Sequence, residues 1–393
     1  MRRQNLGAVL TQVHRAGPLS RAELTARLGL NRSTIGALTA ELAAAGIVRE
    51  SAPAAGGAGR AGRPSLVVTP DAARSSVLAA HVGVGRIAVA RTGLGGQVLD
   101  RVESRLGPDG HGFGTVVDRL VGMATTLVDR AEPGVLFLGM GIGIAGMVRR
   151  EDGTVRQAPN LDWVDRPLGR MVADRLPLPL RVVVGNDADL GALAEHVRGA
   201  AVACDNVVYL AGDTGVGGGV LVDGRMLHGR GGYGGEVGHV MVNPAGRRCR
   251  CGSRGCWETE VGEDAVLVEA GRPAGGGREA VLGVLAAAAA GEPAAAAALR
   301  RVGRWLGVGV AGLVNTFNPE VVVFGGVLAD VFAAVGPRLV EQVEAIALAA
   351  PREQARFVRA GLGVDSTLLG AAELAFEPFL ADPLGRAAMP AQG

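Results

Sequence analysis

Gly232–Thr259 reads GYGGEVGHVMVNPAGRRCRCGSRGCWET and is the most specific stretch of this 393-residue chain. Within it His239, Cys249, Cys251 and Cys256 form a one-histidine, three-cysteine set on a loop, the ligand inventory of a closed structural zinc site. Gly252 and Gly255 let so short a loop wrap an ion, and deprotonated thiolates hold it without a disulfide. Three of the four cysteines fall within residues 249–256, which points to a metal in a reducing compartment rather than a disulfide framework. The competing reading is a group of free buried thiols. Glu236 and Glu258 lie in glycine-rich turns close to this loop, where a carboxylate can be half of a surface ion pair.

Outward from this loop, the chain from Val77 onward alternates apolar strands with glycine-rich turns and alanine-rich helices, which predicts an α/β body. Strands are expected at Val77–Val84, Ile87–Ala90, Val135–Ile144, Val182–Val184, Val207–Ala211, Gly219–Val222 and Val321–Phe324. Two related halves are expected, each opening on a glycine-turned hairpin, His81–Gly85 in one and Asp213–Gly219 in the other. Glycines at this density let backbone N–H groups approach an anion, or mark only tight turns.

The first seventy residues have a different pattern. Leu6, Val9, Leu10 and Val13 recur at helical spacing and Gly17-Pro18 stops that helix. Ser20-x-x-Glu23 is a capping box for a second helix carrying Leu24 and Leu28 and ending at Gly29. Asn31 caps a third in which Ile35, Leu38 and Leu42 face inward, leaving Arg32, Ser33, Thr34 and Gly36, with Asn31 itself, near its exposed N-terminal end, where a recognition helix meets a major groove. Ile47–Glu50 and Ser65–Thr69 read as a hairpin whose intervening Gly/Ala loop bears Arg60 and Arg63, a wing able to reach phosphates or a narrow minor groove. A helical interaction module without DNA is the alternative for the same packing.

Charge follows this division. Residues 1–70 hold nine arginines against three glutamates, a local +6, so the remainder of a chain with formal charge +2 carries −4. A basic head on a mildly acidic body suits a protein of which only one end meets nucleic acid. There is no lysine, which excludes a P-loop lysine and a lysine Schiff base. The start MRRQNLGAVLTQVHRAG lacks the apolar run of a signal peptide, and apolar stretches such as Val281–Ala290 are too short for a bilayer, so a cytoplasmic protein without membrane contact is expected.

On these residues the chain from 73 to 393 resembles the ROK family of repressors, open reading frames and kinases. The likeness is carried by Gly141–Gly146, Asn186-Asp187-Ala188, Thr214–Gly219, Glu236-Val-Gly-His239, Cys249-x-Cys251-x4-Cys256 with Trp257-Glu258, and Asn318-Pro-Glu-Val-Val-Val-Phe-Gly-Gly326. With a winged head at 1–72, the chain looks like the sugar-responsive repressor branch, which includes regulators of xylose and N-acetylglucosamine genes. The resemblance implies an actin-like, two-lobed sugar-kinase fold with the sugar between the lobes. It implies Asn186, Asp187, Glu236, His239 and Glu258 as sugar contacts, operator DNA as partner, and a homodimer or homotetramer. In the family's kinases the first phosphate loop reads Asp-x-Gly-Gly-Thr; here the matching stretch is His81-Val-Gly-Val-Gly-Arg86, without the Asp and the Thr. The resemblance therefore implies a regulator that does not transfer phosphate, with Asp187 as a vestigial general base. A working sugar kinase with an accessory head is the rival reading.

Overall fold

The computed structural model describes residues 1–53, 65–212 and 214–387. Two compact units emerge. One comprises Met1–Ile142, Leu168–Val184 and the residues from Ala371 onward; the other comprises Gly143–Pro167 and Gly185–Gly370.

In the first unit, α1 (Arg2–Ala16) buries Leu6, Val9, Leu10 and Val13 and ends at Gly17. After β1 (Leu19–Ser20), α2 (Arg21–Leu28) starts in the capping box the sequence predicts. The Glu23 N–H donates to Ser20 Oγ at 3.1 Å and the Ser20 N–H to the Glu23 carboxylate at 2.7 Å. Gly29 then takes the left-handed conformation (φ 65°) that ends α2. Asn31 caps α3 (Arg32–Ala44), its Oδ1 accepting from the Thr34 N–H at 2.8 Å. The wing strands are β2 (Val48–Ser51) and β3 (Val67–Pro70), antiparallel with Glu50 opposite Val68. β1 adds to the far edge of β3 with Leu19 opposite Val68, a third strand that two residues of sequence do not announce.

Arg21 grips Glu50 with two hydrogen bonds of 2.8 and 2.6 Å, tying the start of α2 to the wing. Burial alone would raise the Glu50 carboxyl, but the bonds from Arg21 and Thr39 and the Arg21 charge hold it below its ordinary value. A depressed carboxylate stabilises above its unfolded pKa of about 4.3 and ceases to as pH falls through the lower folded value. Glu50→Gln is therefore expected to weaken amide-exchange protection of Val48–Ser51 at neutral pH, and this deficit should close as pH falls from about 5 towards 3. A deficit independent of pH would show that the pair contributes nothing through charge.

The body begins with the antiparallel strands β4 (Ser75–Val82), β5 (Arg86–Gly93) and β6 (Val98–Arg105). α4 (Phe113–Asp129), β7 (Leu136–Ile144), a meander of β8 (Met147–Arg149), β9 (Thr154–Ala158) and β10 (Trp163–Arg166), α5 (Leu168–Ala173) and β11 (Val182–Asn186) follow. Next come α6 (Asp187–Arg198), β12 (Val207–Gly212), β13 (Val216–Val222), β14 (Arg225–Met226), α7 (Trp257–Val261), α8 (Glu263–Glu269), α9 (Gly277–Ala289) and α10 (Pro293–Phe317). β15 (Val321–Gly325), α11 (Gly326–Ile346), α12 (Ala349–Gln354), β16 (Arg356–Arg359), α13 (Ser366–Ala381) and α14 (Pro383–Ala387) close the chain.

One five-stranded sheet is ordered β11-β7-β4-β5-β6 and the other β14-β13-β12-β15-β16. Each is an antiparallel hairpin-linked trio extended by two strands on the side of its first member, so the two related halves expected from the sequence share one topology. Both hairpins form, with Gly83 N–H donating to Arg86 O at 2.9 Å in the first and Gly212 facing Val216 in the second. The second differs from expectation in extent. Gly217 and Gly218 are strand rather than turn and, with Gly219, are packed on both faces: a Cβ at Gly217 or Gly219 would stand 2.8 Å from Ala188 Cβ or 2.6 Å from the Ala188 carbonyl oxygen of α6, and one at Gly218 would meet Val237. In the second unit, Val302, Leu306, Val310 and Val314 of α10 pack with Val331, Val335, Leu339 and Val343 of α11 in a core that includes Val208, Leu210, Val322 and Phe324. Among the described residues no single helix is long and apolar enough to cross a membrane.

Candidate metal and ligand site

The metal loop is a miniature hairpin. Met241 pairs with Cys256 and Arg248 with Arg254, while the Cys249 N–H donates to Ser253 O at 2.9 Å and the Gly252 N–H returns to Cys249 O at 3.1 Å. Gly252 (φ 94°) makes the reversal that puts Cys251 and Cys256 on one side. The His239 Nδ1 and Cys249 Sγ atoms are 3.6 Å apart, as are the Cys251 and Cys256 Sγ atoms, and all four ligand atoms lie within 4.8 Å of one another. Metal–ligand bonds of about 2.0–2.3 Å in a tetrahedron require ligand–ligand edges of roughly 3.3–3.8 Å, so the set fits a small divalent ion after minor closure. Burial first, then hydrogen bonding to Glu258, raises the Cys249 thiol, and burial with a bond to Cys251 raises Cys256. Only a cation reverses that preference and turns such thiols into thiolates.

His239 faces two ways. Its Nδ1 belongs to the metal cluster, while Nε2 points to Glu236, 4.0 Å from the carboxylate. Glu258, one residue into α7, stands 2.9 Å from Cys249 Sγ and 3.7 Å from His239 Nδ1. The hairpin turn closes on it, since a Cβ at Gly215 would lie 2.8 Å from Glu258 Oε2. Asp187 is the first residue of α6, and a Cβ at Gly217 would contact both its carboxylate and Ala188. Glu236, His239 and Glu258 thus form one polar group on the metal loop, and Asp187 approaches from across the β13 glycines.

Asn186 has a structural use that the sequence reading does not give it. Its Oδ1 caps α6 by accepting the Ala188 and Asp189 N–H groups at 2.8 and 3.1 Å, and its Nδ2 donates to Gly146 O at 3.0 Å. Of two acceptor sites and two donors, one N–H is left for a ligand. A further acid, Asp189, faces the same group. Asp189 is buried, with Oδ1 lacking a hydrogen-bond partner among the described residues and His228 Nδ1 3.9 Å from Oδ2. Burial, then the Glu236 and Asp187 charges, push its carboxyl up to about 7. Burial, with Glu258 adding and His239 opposing, also raises Glu236. Apart from this group, Glu195 further along α6 is a structural acid whose fully buried carboxylate accepts from Ala200 N, Gly361 N, Leu362 N and Ser366 Oγ at 2.7–2.9 Å. In the sequence it passes as an ordinary helix-surface acid, because its partners in 361–366 lie far along the chain.

In the head, Asn31, Arg32 and Ser33 are exposed and Thr34 half-buried at the start of α3. Ser33 Oγ donates to Asn31 Oδ1 at 2.8 Å, so both serve the cap, while Arg32 has no ion pair among the described residues. Arg60 and Arg63 lie outside the described residues.

Duplicated sheet topology beside an acid-rich polar site and a loop of one histidine and three cysteines defines a sugar-kinase-like α/β protein. A family model described as "ROK family" matches residues 77–377, and the chain belongs to that family. It is similar to a xylose repressor of Caldicellulosiruptor bescii, 30% identical over 321 residues that cover 78% of this chain and 79% of that one. It is also similar to a glucokinase of Streptomyces coelicolor, 33% identical over 287 residues covering 69% and 89%. The crystal structure of a ROK family transcriptional regulator, a homologue of the E. coli MLC protein, superposes with a TM-score of 0.80 at 26% identity over 98% of each chain, so the likeness includes the head.

Proposed function

We propose that this chain is a sugar-responsive, DNA-binding transcriptional regulator, a cytoplasmic repressor of carbohydrate genes that transfers no phosphate. The observation that carries the reading is the head itself, a capped helix-turn-helix with a β-wing whose α3 leaves Arg32 and Ser33 exposed, on the same chain as a sugar-kinase-like fold. The repressor and regulator relatives support it. Arg32, Ser33 and Thr34 would meet base edges or phosphates, with Asn31 holding their helix start and Arg60 and Arg63 of the wing adding phosphate contacts. The operator would be bound by a homodimer or homotetramer.

The effector would be a sugar held by Asp187, Glu236, His239 and Glu258 with the free N–H of Asn186. Clustered carboxylates suit vicinal hydroxyls, which donate to them, and repel anions such as sugar phosphates. His239, Cys249, Cys251 and Cys256 would hold zinc, a structural ion that fixes the direction of His239 Nε2 and the start of α7.

Asp187→Ala is expected to weaken sugar binding by roughly ten- to a hundredfold, through loss of a charged hydrogen-bond acceptor, while leaving operator binding without sugar intact. Fluorescence polarisation on DNA from upstream of the gene, with and without D-xylose, D-glucose and N-acetyl-D-glucosamine, measures both. The kinase reading has one specific support, the retained Asp187 at the start of α6, together with the glucokinase relative. ADP release at ordinary kinase rates with any of these sugars, abolished by Asp187→Ala, would establish it. No release is expected, because the hairpin turn after His81 offers neither the carboxylate nor the hydroxyl that positions metal and phosphate.

A further inference from the structure

We propose that α13 is the rod by which the ligand site acts on the DNA-binding head, and that the buried pair His14–Glu373 is its coupling to that head. The proposal rests on the regulator reading above and supplies its route.

His14 is on α1, and its side chain is wholly buried. The Gly95 N–H donates to Nδ1 at 2.9 Å, and since a backbone N–H can only donate, the ring proton sits on Nε2. Nε2 therefore donates to Glu373 Oε2 at 3.0 Å. The imidazole also packs against Phe376, with ring centroids 4.9 Å apart. Glu373 and Phe376 are three residues apart on α13, so His14 holds one face of that helix. The rest of α1 follows the same track. A Cβ at Gly7 would stand 2.6 Å from Leu380 O, and Arg3 pairs with Asp382 at 3.0 Å. The head's first helix is thus docked along the end of α13 and the start of α14, not carried on a free linker.

The opposite end of the same helix is bonded to α6, which begins with the proposed sugar contact Asp187. Thr367 Oγ1 donates to the backbone oxygen of Asp187 at 3.1 Å, and Ser366 Oγ donates to Glu195 Oε1 at 2.8 Å. From Thr367 to Glu373 is six residues of uninterrupted helix, about 9 Å at 1.5 Å per residue. A sugar that draws Asp187 to a new position would move the first turn of α13, and the backbone hydrogen bonds of the helix continue from there to Glu373. A displacement of about 1 Å is enough to take a 3.0 Å hydrogen bond outside its range. The buried pair then has two arrangements to choose between, and the sugar biases them if it binds one better.

The test uses the full-length protein with upstream DNA and the same three sugars. For wild type, the sugar that raises the melting temperature should lower operator affinity by a factor in the ordinary allosteric range of about 5–150. His14→Leu/Glu373→Leu removes the two side-chain partners together, which spares the protein a lone buried charge at the cost of leaving the Gly95 N–H without its acceptor. It should still bind operator without sugar and still be stabilised by that sugar, but its operator response should shrink to about twofold or less. Glu373→Gln keeps an oxygen for Nε2–H and should keep the wild-type response, which a merely space-filling contact would not distinguish from the leucine pair. Hydrogen exchange gives a second readout: the sugar should change protection in Arg2–Ala16 and in residues 366–373 of wild type. A full response in the leucine pair, or an operator response with unchanged exchange in both segments, overturns the proposal. If no sugar alters operator affinity in wild type, the regulator reading itself fails before any variant is made, and this route falls with it.

Discussion

Cys256→Ala protein will purify almost free of zinc and with sugar affinity reduced at least tenfold, whereas wild type will carry about one equivalent per chain. Cys256 is fully buried and immediately precedes α7, so the ligand that closes the metal set also fixes the helix bearing Glu258. His239 would be bound to the same ion through Nδ1, and its Nε2 direction depends on that bond. Losing one sulfur opens the tetrahedron to water and unties both groups from the ligand pocket. Four-ligand zinc sites in small peptides are worth roughly 10–16 kcal/mol at neutral pH, so even a partial loss exceeds what the loop's few backbone bonds restore. Elemental analysis and a sugar thermal shift measure the two effects. Less than about half an equivalent of zinc in wild type purified without chelator would refute the structural-site assignment. Isolated operator binding should change far less than sugar binding, because the head shares no residue with the metal loop.

Glu195→Gln is expected to be nearly as damaging as Glu195→Ala, despite its modest change in shape. All four groups around the carboxylate donate: Ala200 N and Gly361 N to Oε2, Leu362 N and Ser366 Oγ to Oε1. An amide would turn its NH2 group towards Ala200 N and Gly361 N, or, flipped, towards Leu362 N while Ser366 Oγ redirects its proton to Gly363 O at 3.0 Å, so at least one buried backbone donor is left unsatisfied either way. The loss should be about 3 kcal/mol or more, lowering the melting temperature by roughly 6–12 °C. Scanning calorimetry reads this directly. A Gln variant melting within about 2 °C of wild type would mean that the carboxylate's charge is not what organises the 199–201 and 361–366 segments.

The contrast between these two sites explains what sequence can and cannot give. The four candidate metal ligands, His239 among them, lie with Glu236 and Glu258 within 23 consecutive residues, so local spacing alone brings them together. The head is equally legible, because Ser20-x-x-Glu23, Gly29 and Asn31 act on groups one turn away. Strand cores are legible too, but Gly217 and Gly218 of β13 read as turn because nothing local reveals that Ala188 of α6 packs on the one and Val237 on the other. Glu195 and His14 escape for the same reason: their partners are 166 and 359 residues distant, and a buried acid on a helix looks like a solvated one until its donors are in place. Asn186 differs again, since the residue expected to meet the ligand also caps α6, a second use that leaves it one N–H for that role.

Trp257 sits between Cys256 and Glu258, fully buried, with its indole N–H donating to Trp305 O at 2.9 Å and its ring lying against Gly309 of α10. The chain has only three tryptophans, and two of them meet at this contact. The protein therefore carries its own optical gauge, an ultraviolet emitter wedged between the metal loop and the longest helix of the body. Metal loading or sugar entry would register in its emission without any dye or label.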